Sequence, residues 1–369
     1  MQFIKFFLIL IGFIFIQPVN TYADEMDDEL NQYDFTKIDE ETDGEFDFKS
    51  VLKEIIKGDF SKGMENFSDN VRMVLFTELE NEKGVLIKLI IIGLLSALFS
   101  NISGHMLNGN ISEAGFFVAY LAFISVMLAG FNLVMGIVKA TLTKLIALMQ
   151  SITPVYILSV GFVTGESSAT AFYGVFAIVI TLIQKMFQSF VIPMIYINTI
   201  IGIINNLACE KLFNKASELI ETVINWTLKT MMAFVIGLNI VRGLINPVVD
   251  SLQVGMLYKT LRMIPGIGNS LNSVSTVLLA SGTLIKNGIG MTSMLAILVI
   301  CFIPIVKTAI ISICYKGVGA VLEPVSDKRI VNSVNSVHTN IALLLKTLLY
   351  AIIFFVLTIA IICATTNYK

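Results

Sequence analysis

The chain has 369 residues, of which 56% are hydrophobic and 14% charged, and its mean hydropathy is +0.82. Soluble domains carry about a quarter charged residues, so this composition indicates an integral membrane protein rather than a soluble domain. The formal net charge of -2 leaves no basic excess for phosphate contacts, so no nucleic-acid partner is expected.

Residues 1–23 have the organisation of a secretory signal peptide. Lys5 precedes an apolar run from Phe6 to Ile16, and small residues end at Ala23. The run is short for a membrane span, and a proline and an acidic block follow it. Cleavage after Ala23 is therefore predicted over retention as a first membrane anchor. The mature amino terminus would then lie outside the cytoplasm.

The exported segment is predicted to have two parts. Residues 24–47 form an acidic block with repelling charges and little to bury, which predicts disorder. Residues 48–84 carry apolar side chains at helical spacing between Lys and Glu, which predicts two short amphipathic helices broken near Gly58 and Gly63. Such helices could lie on the bilayer surface or pack on a partner.

Residues 85–369 are predicted to form a transmembrane helical domain, because apolar runs long enough to cross a bilayer recur there. The fold class is an all-α polytopic integral membrane protein with about seven transmembrane helices. The clearest spans are residues 85–100, 115–138, 142–163, 223–245, 291–314 and 341–363. Residues 169–207 add one kinked helix or a hairpin of two, since Gln184, Lys185 and Gln188 interrupt the apolar run. Residues 210–221 have one apolar face, which predicts a helix lying in the interface.

Residues 263–290 are too polar for a lipid-facing span and too apolar for a loop. This broken segment is predicted to interrupt the helix at both ends, through Pro265, Gly266 and Gly268 at the start and Lys286, Gly288 and Gly290 at the end. Close packing through small residues such as Gly282 would explain its composition, and so would a re-entrant or pore-side position. Lys307, which follows Pro304 by one turn, is a further candidate to face a pore.

Residues 316–340 are predicted to form a cytoplasmic loop. Lys328 and Arg329 are the clearest basic cluster, and such clusters favour the cytoplasmic side, which leaves the carboxyl terminus outside. Glu323 and Asp327 could then meet a soluble or peripheral partner. A plain solvated turn is the alternative.

Residues typical of catalytic or metal sites are scarce. His105 and His338 have no carboxylate at helical spacing, and the sequence has no zinc-binding helix, nucleophile elbow or phosphate-binding loop motif. The predicted spans contain almost none of the carboxylates expected of a proton- or ion-coupled transporter. The expectation is therefore a protein that is not an enzyme and has no cofactor and no metal site.

These features together resemble one known family. The signal peptide, the acidic segment, the repeated spans, "LLASGTLIKNGIG" at 278–290 and "EPVSDKRIVNSV" at 323–334 are similar to the stage III sporulation protein AE family, over about residues 48–363. The resemblance implies a multi-pass protein of the mother-cell membrane that faces the forespore. It also implies a transenvelope channel formed with companion stage III proteins and a forespore-side partner.

The resemblance brings no catalytic residues with it. A permease that moves a small solute itself is the alternative function. Membrane lipid is a further expected partner, and a homo-oligomer is an additional option.

Overall fold

The computed structural model of the chain describes residues 33–41, 47–57, 83–84, 87–88, 90–91, 94, 109–164, 166–207, 213–261 and 268–365. In parts of the long helices, residues 238–261 and 268–280 among them, it describes the backbone alone. The predicted signal peptide, most of the predicted span 85–100, and Pro265 and Gly266 lie outside the described residues.

The described residues are almost entirely helical, and no strand occurs among them. Two short helices come first, α1 (Thr36–Glu41) and α2 (Phe48–Lys57). The long helices that follow are α3 (Gly109–Thr164), α4 (Glu166–Leu182), α5 (Ile192–Leu207), α6 (Asn214–Leu261), α7 (Gly268–Leu322) and α8 (Lys328–Thr365). A π-helical segment, Ile183–Val191, joins α4 to α5.

Within the described residues, 5 helical stretches are long and apolar enough to cross a membrane. They are Gly115–Gly161, Phe172–Leu207, Asn214–Gly237, Ser281–Leu322 and Lys328–Ala364. They pack around one core in which α7 contacts α8 and α3 most extensively. The all-α polytopic class predicted from the sequence is confirmed.

The spans predicted at 115–138 and 142–163 are one helix, because α3 runs through both for 56 residues. The polar connection between them is compatible with a helix. Lysine is a good helix former, and Thr141 Oγ1 donates to Ile137 O at 2.8 Å, so this hydroxyl is satisfied inside the helix. Polar residues alone do not end a helix at this point.

Residues 169–207 form a single helical path, so the hairpin alternative is wrong. The polar residues that interrupt the apolar run lie in the π-helical segment. At the end of this segment, the Ile192 N–H donates to Phe187 O. Pro193 follows directly and has no N–H to donate. A wider helical turn just before a proline accommodates this missing donor without ending the helix.

Three predicted boundaries are corrected by the structure. Helix α7 continues through residues 286–290 to Leu322, so the predicted second break of the segment 263–290 is wrong, whereas α7 does begin at Gly268. Residues 214–221 are the first turns of the 48-residue helix α6 rather than a separate interfacial helix. The predicted loop 316–340 shrinks to residues 323–327, between the end of α7 and the start of α8.

The short helices α1 and α2 join the core through aromatic and aliphatic side chains. Phe35, Ile38 and Phe48 are buried, and the rings of Phe35 and Phe48 stack with their centroids 5.2 Å apart. Helix α1 contacts α3, and α2 contacts α7. The first predicted amphipathic helix is present as α2, and the second lies outside the described residues. Disorder is the wrong prediction for residues 36–41, because Phe35 and Ile38 give this part of the acidic block an apolar surface to bury.

Candidate functional site

Residues 281–290 of α7 pack against the last turns of α3 and α8. A Cβ atom added at Gly290 would overlap Cys363 Sγ, and one added at Gly282 would lie 3.2 Å from Val163 Cγ2. Real Cβ atoms rarely come this close to a neighbour, so glycine is what lets the three helices approach here. These contacts are those expected for the first alternative, close packing through small residues.

A buried lysine lies in the same place. Lys286 is 0% exposed, and its Nζ donates to Cys363 O over 3.4 Å. The Tyr156 hydroxyl and Cys363 Sγ form a further hydrogen bond at 2.9 Å. We call Tyr156, Gly282, Lys286, Gly290 and Cys363 the glycine junction. An ionisable side chain among apolar helices is rare and needs partners, and at this junction it ties α7 to α8.

The remaining predicted residues of this group are distributed along α7. Gly288 is buried within the same stretch, and Gly268 is the first residue of the helix. Lys307 is half-buried and lies about 30 Å further along α7 from Lys286, at 1.5 Å of rise per residue. The structure thus brings Gly282, Lys286 and Gly290 to the contact with α3 and α8, and places Lys307 elsewhere.

Of the four charged residues in the predicted partner loop, two make contacts within the protein and two are exposed. Asp327 caps α8, because the Arg329 backbone N–H donates to Asp327 Oδ1 at 2.8 Å. The Arg329 guanidinium pairs with the same carboxylate at 3.3 Å and lies 4.0 Å from the ring centroid of Phe116 on α3. Glu323 and Lys328 are exposed. Asp327 and Arg329 therefore hold α8 against α3, and Glu323 and Lys328 are the charges presented to the surroundings.

A cluster of amides and hydroxyls between α5, α6 and α8 is not among the residues predicted from the sequence. We call this cluster the amide junction, and its members are Asn198, Asn206, Ser217, Ser336 and Asn340. Asn198 Nδ2 donates to Asn340 Oδ1 at 2.9 Å, and Ser217 Oγ donates to Asn198 Oδ1 at 2.8 Å. Asn206 Nδ2 donates to Ser336 Oγ at 3.1 Å. Buried amides that satisfy one another fix how neighbouring helices are aligned.

The start of α8 makes two further contacts of this kind. The Tyr120 and Ser333 hydroxyls are 2.7 Å apart, and His338 Nδ1 lies 2.8 Å from Ser312 O. They link α8 to α3 and α7. The signal that could have revealed this region is the recurrence of Ser and Asn at helical spacing in "NSVNSVHTN" at 332–340, a pattern that marks one polar, inward-facing stripe.

The chemistry that both junctions offer is packing and hydrogen bonding between helices. In the part of the chain that the structure describes, no three His, Cys, Asp or Glu side chains come together as a metal site.

A sequence model of the family described as stage III sporulation protein AE matches residues 46–366. No curated protein and no solved structure matches the chain. The matched range contains the glycine junction, the amide junction and the turn at 323–327.

Proposed function

Because the chain belongs to the stage III sporulation protein AE family, we propose that it is a membrane subunit of a multiprotein channel or secretion-like apparatus between mother cell and forespore. The family match over residues 46–366 carries this proposal, since it covers the long helices of the bundle. The protein would reside in the mother-cell membrane, act after engulfment together with companion stage III proteins and a forespore-side partner, and have no enzymatic activity of its own.

The dimensions of the bundle support a role in an assembly. Helix α3 has 56 residues and α7 has 55, which corresponds to about 80 Å each, whereas a bilayer core is about 30 Å thick. A substantial part of the bundle is therefore long enough to extend beyond the hydrocarbon. Exposed apolar side chains such as Val118 on α3 and Ile204 on α5 provide surface that companion proteins could cover.

We expect the exposed charges at the turn 323–327 to contribute to partner binding. Reversing them, as in Glu323→Lys or Lys328→Glu, should reduce co-purification of companion stage III proteins while the Tm of the isolated protein stays within about 1 °C, as is usual for exposed positions. The matched control is Asp327→Lys, which removes the cap of α8 and should lower the Tm by several degrees. Unchanged recovery of the companions with Glu323→Lys and Lys328→Glu would show that the turn is merely solvated.

The alternative is a permease, and the buried Lys286 is the observation that favours it, because ionisable residues inside membrane proteins commonly mark solute paths. The test is uptake of small anionic and neutral solutes by liposomes that contain the purified chain alone. The apparatus account predicts no uptake by the chain alone. Uptake that is lost in Lys286→Met would instead support a permease.

A further inference from the structure

Lysines from all the long helical stretches lie at about the same position, or level, along the long axis of the bundle. We call them the lysine belt, and they are Lys139, Lys144, Lys185, Lys229, Lys307 and Lys346. Sequence positions alone do not reveal this level, because the helices run in different directions. It emerges from the side-chain contacts that fix the register of each helix relative to α3.

The register between α3 and the π-helical segment follows from one hydrogen bond. Gln188 Nε2 donates to Thr143 Oγ1 at 3.0 Å. Lys185 precedes Gln188 by about one helical turn, and Lys144 is the residue after Thr143. Lys185 and Lys144 therefore lie within about one helical turn of each other along the axis of α3.

Helix α7 runs antiparallel to α3, and two contacts fix their register. The Tyr315 hydroxyl donates to Met127 O at 3.1 Å, and a Cβ atom added at Gly290 would lie 3.3 Å from Tyr156 Cε2. Lys307 falls between Tyr315 and Gly290 along α7. It is therefore level with about residues 135–138 of α3, next to Lys139.

Helix α8 runs parallel to α3, because Tyr120 contacts Ser333 near one end and Tyr156 contacts Cys363 near the other. This register places Lys346 level with about residues 133–139 of α3.

Lys346 Nζ also donates to Asn225 Oδ1 on α6, and Lys229 lies one turn beyond Asn225, near enough for the two lysine charges to interact. The whole belt thus occupies about 13 residues of α3, or about 20 Å of its length.

The belt carries an excess of positive charge. The helix stretches that surround its members contain no Asp or Glu, and these stretches are residues 131–148, 178–196, 222–236, 299–315 and 338–354. Glu221 lies just outside them and interacts with Lys346. Lys139, Lys185 and Lys229 are exposed on the outside of the bundle. Three exposed cations at one level favour anionic partners beside them.

On one side of the belt, α3 and α8 have the length and composition of a membrane core. Residues 145–164 of α3 and 347–365 of α8 contain no charged residue, and each stretch extends for about 30 Å, the thickness of the hydrocarbon. Lys286 lies on this side, but it is 0% exposed and bonded to Cys363 O. Lipid tails can therefore cover these parts of α3 and α8.

The other side of the belt cannot be covered by lipid tails all around. Lys215 and Glu218 form an ion pair there with side chains 91% and 64% exposed, and Lys316 and Lys328 are exposed as well. Exposed charges of this kind are expensive in hydrocarbon. The belt thus lies between charge-free stretches of α3 and α8 and a part of the bundle that carries exposed charges.

We propose that the lysine belt binds the phosphate groups of anionic phospholipids in the cytoplasmic leaflet. Lysines at this boundary extend their charged ends to the headgroups, and basic residues favour the cytoplasmic side. The half of the bundle that ends at the turn 323–327 then projects about 30 Å into the cytoplasm. This inference stands independently of the proposed function.

The first test compares two triple variants of the full chain in neutral detergent. The belt variant combines Lys139→Gln, Lys185→Gln and Lys229→Gln, and the matched control combines Lys215→Gln, Lys316→Gln and Lys328→Gln. The Tm is measured while phosphatidylglycerol, phosphatidylcholine or inorganic phosphate is added. Each lysine at an anionic surface strengthens binding about fivefold, so the belt variant should need about 100 times more phosphatidylglycerol for half of the stabilisation.

The proposal requires that wild type and control variant respond alike to phosphatidylglycerol and that phosphatidylcholine has little effect. An equal response of the belt variant, or an equal effect of phosphatidylcholine, would overturn it. Stabilisation by inorganic phosphate to the same extent would identify a free anion rather than a lipid as the ligand, and would also overturn it.

The second test uses Trp226, the single tryptophan of the chain, which is 67% exposed and about one turn from Lys229. In bilayers of brominated lipids, its fluorescence should be quenched most by bromines close to the headgroup, since aromatic side chains at the interface lie at that depth. Strongest quenching by bromines near the ends of the acyl chains would place the belt inside the hydrocarbon and refute the proposed position.

Discussion

Replacing Gly290 by alanine is expected to destabilise the bundle by about 2 kcal/mol, whereas the same replacement at Gly317 is expected to stabilise it by about 0.5 kcal/mol or more. A Cβ at Gly290 would overlap Cys363 Sγ, so the thiol must leave its hydrogen bond with Tyr156 or the helices must separate. Gly317 lies on the same helix, and a Cβ added there would have no neighbour within 4 Å, so only the helix propensity of alanine acts at this position.

The measurement is the Tm of each purified variant in detergent, together with its accumulation in sporulating cells. Larger replacements should act more strongly, and we expect Gly282→Leu and Gly288→Leu to abolish sporulation, whereas Leu279→Phe should be better tolerated. Equal Tm values for Gly290→Ala and Gly317→Ala would contradict the close packing of α7 against α3 and α8.

Replacing Asn340 by leucine is expected to destabilise the bundle by about 2 kcal/mol, because a buried hydrogen-bonding group would lose its partner. Asn198 and Asn340 are each 2% exposed, and Asn198 Nδ2 donates to Asn340 Oδ1 at 2.9 Å. The matched control is Asn335→Leu, on the same helix but exposed, which should change the Tm little.

A double-mutant cycle separates this hydrogen bond from general packing. The variant that combines Asn198→Leu with Asn340→Leu should be less destabilised than the sum of the two single variants, since two leucines leave neither amide without its partner. Ser217, which donates to Asn198 Oδ1, limits this recovery. Strictly additive effects would show that the two amides do not act through each other.

The fold class could be predicted from the sequence because it depends on the length and hydropathy of apolar runs. The helix ends could not, since they depend on neighbours that a linear pattern does not show. The polar residues around Lys139 and Lys144 resemble a loop in sequence, yet α3 continues through them. Gly288 and Gly290 resemble a helix end, yet α7 continues through them. The missing side chain of Gly290 allows α3 and α8 to approach.

The candidate site was predictable in part. Lys286 and the glycines near it stood out because they are unusual in an apolar segment. The amide junction did not stand out, since Asn198 and Asn340 are far apart in the chain and only the tertiary fold pairs them. The lysine belt is a similar case. The sequence marks Lys307 as a pore-facing candidate and Lys185 as an interruption of an apolar run, but the level that the lysines share depends on the register between helices.

The most direct test of the proposed function is to purify the tagged full-length chain from membranes of sporulating cells after engulfment and to identify what elutes with it. The account predicts one species much larger than the 40.6 kDa of the chain, containing the companion stage III proteins. Recovery of the chain without any companion, from cells that complete sporulation normally, would contradict it.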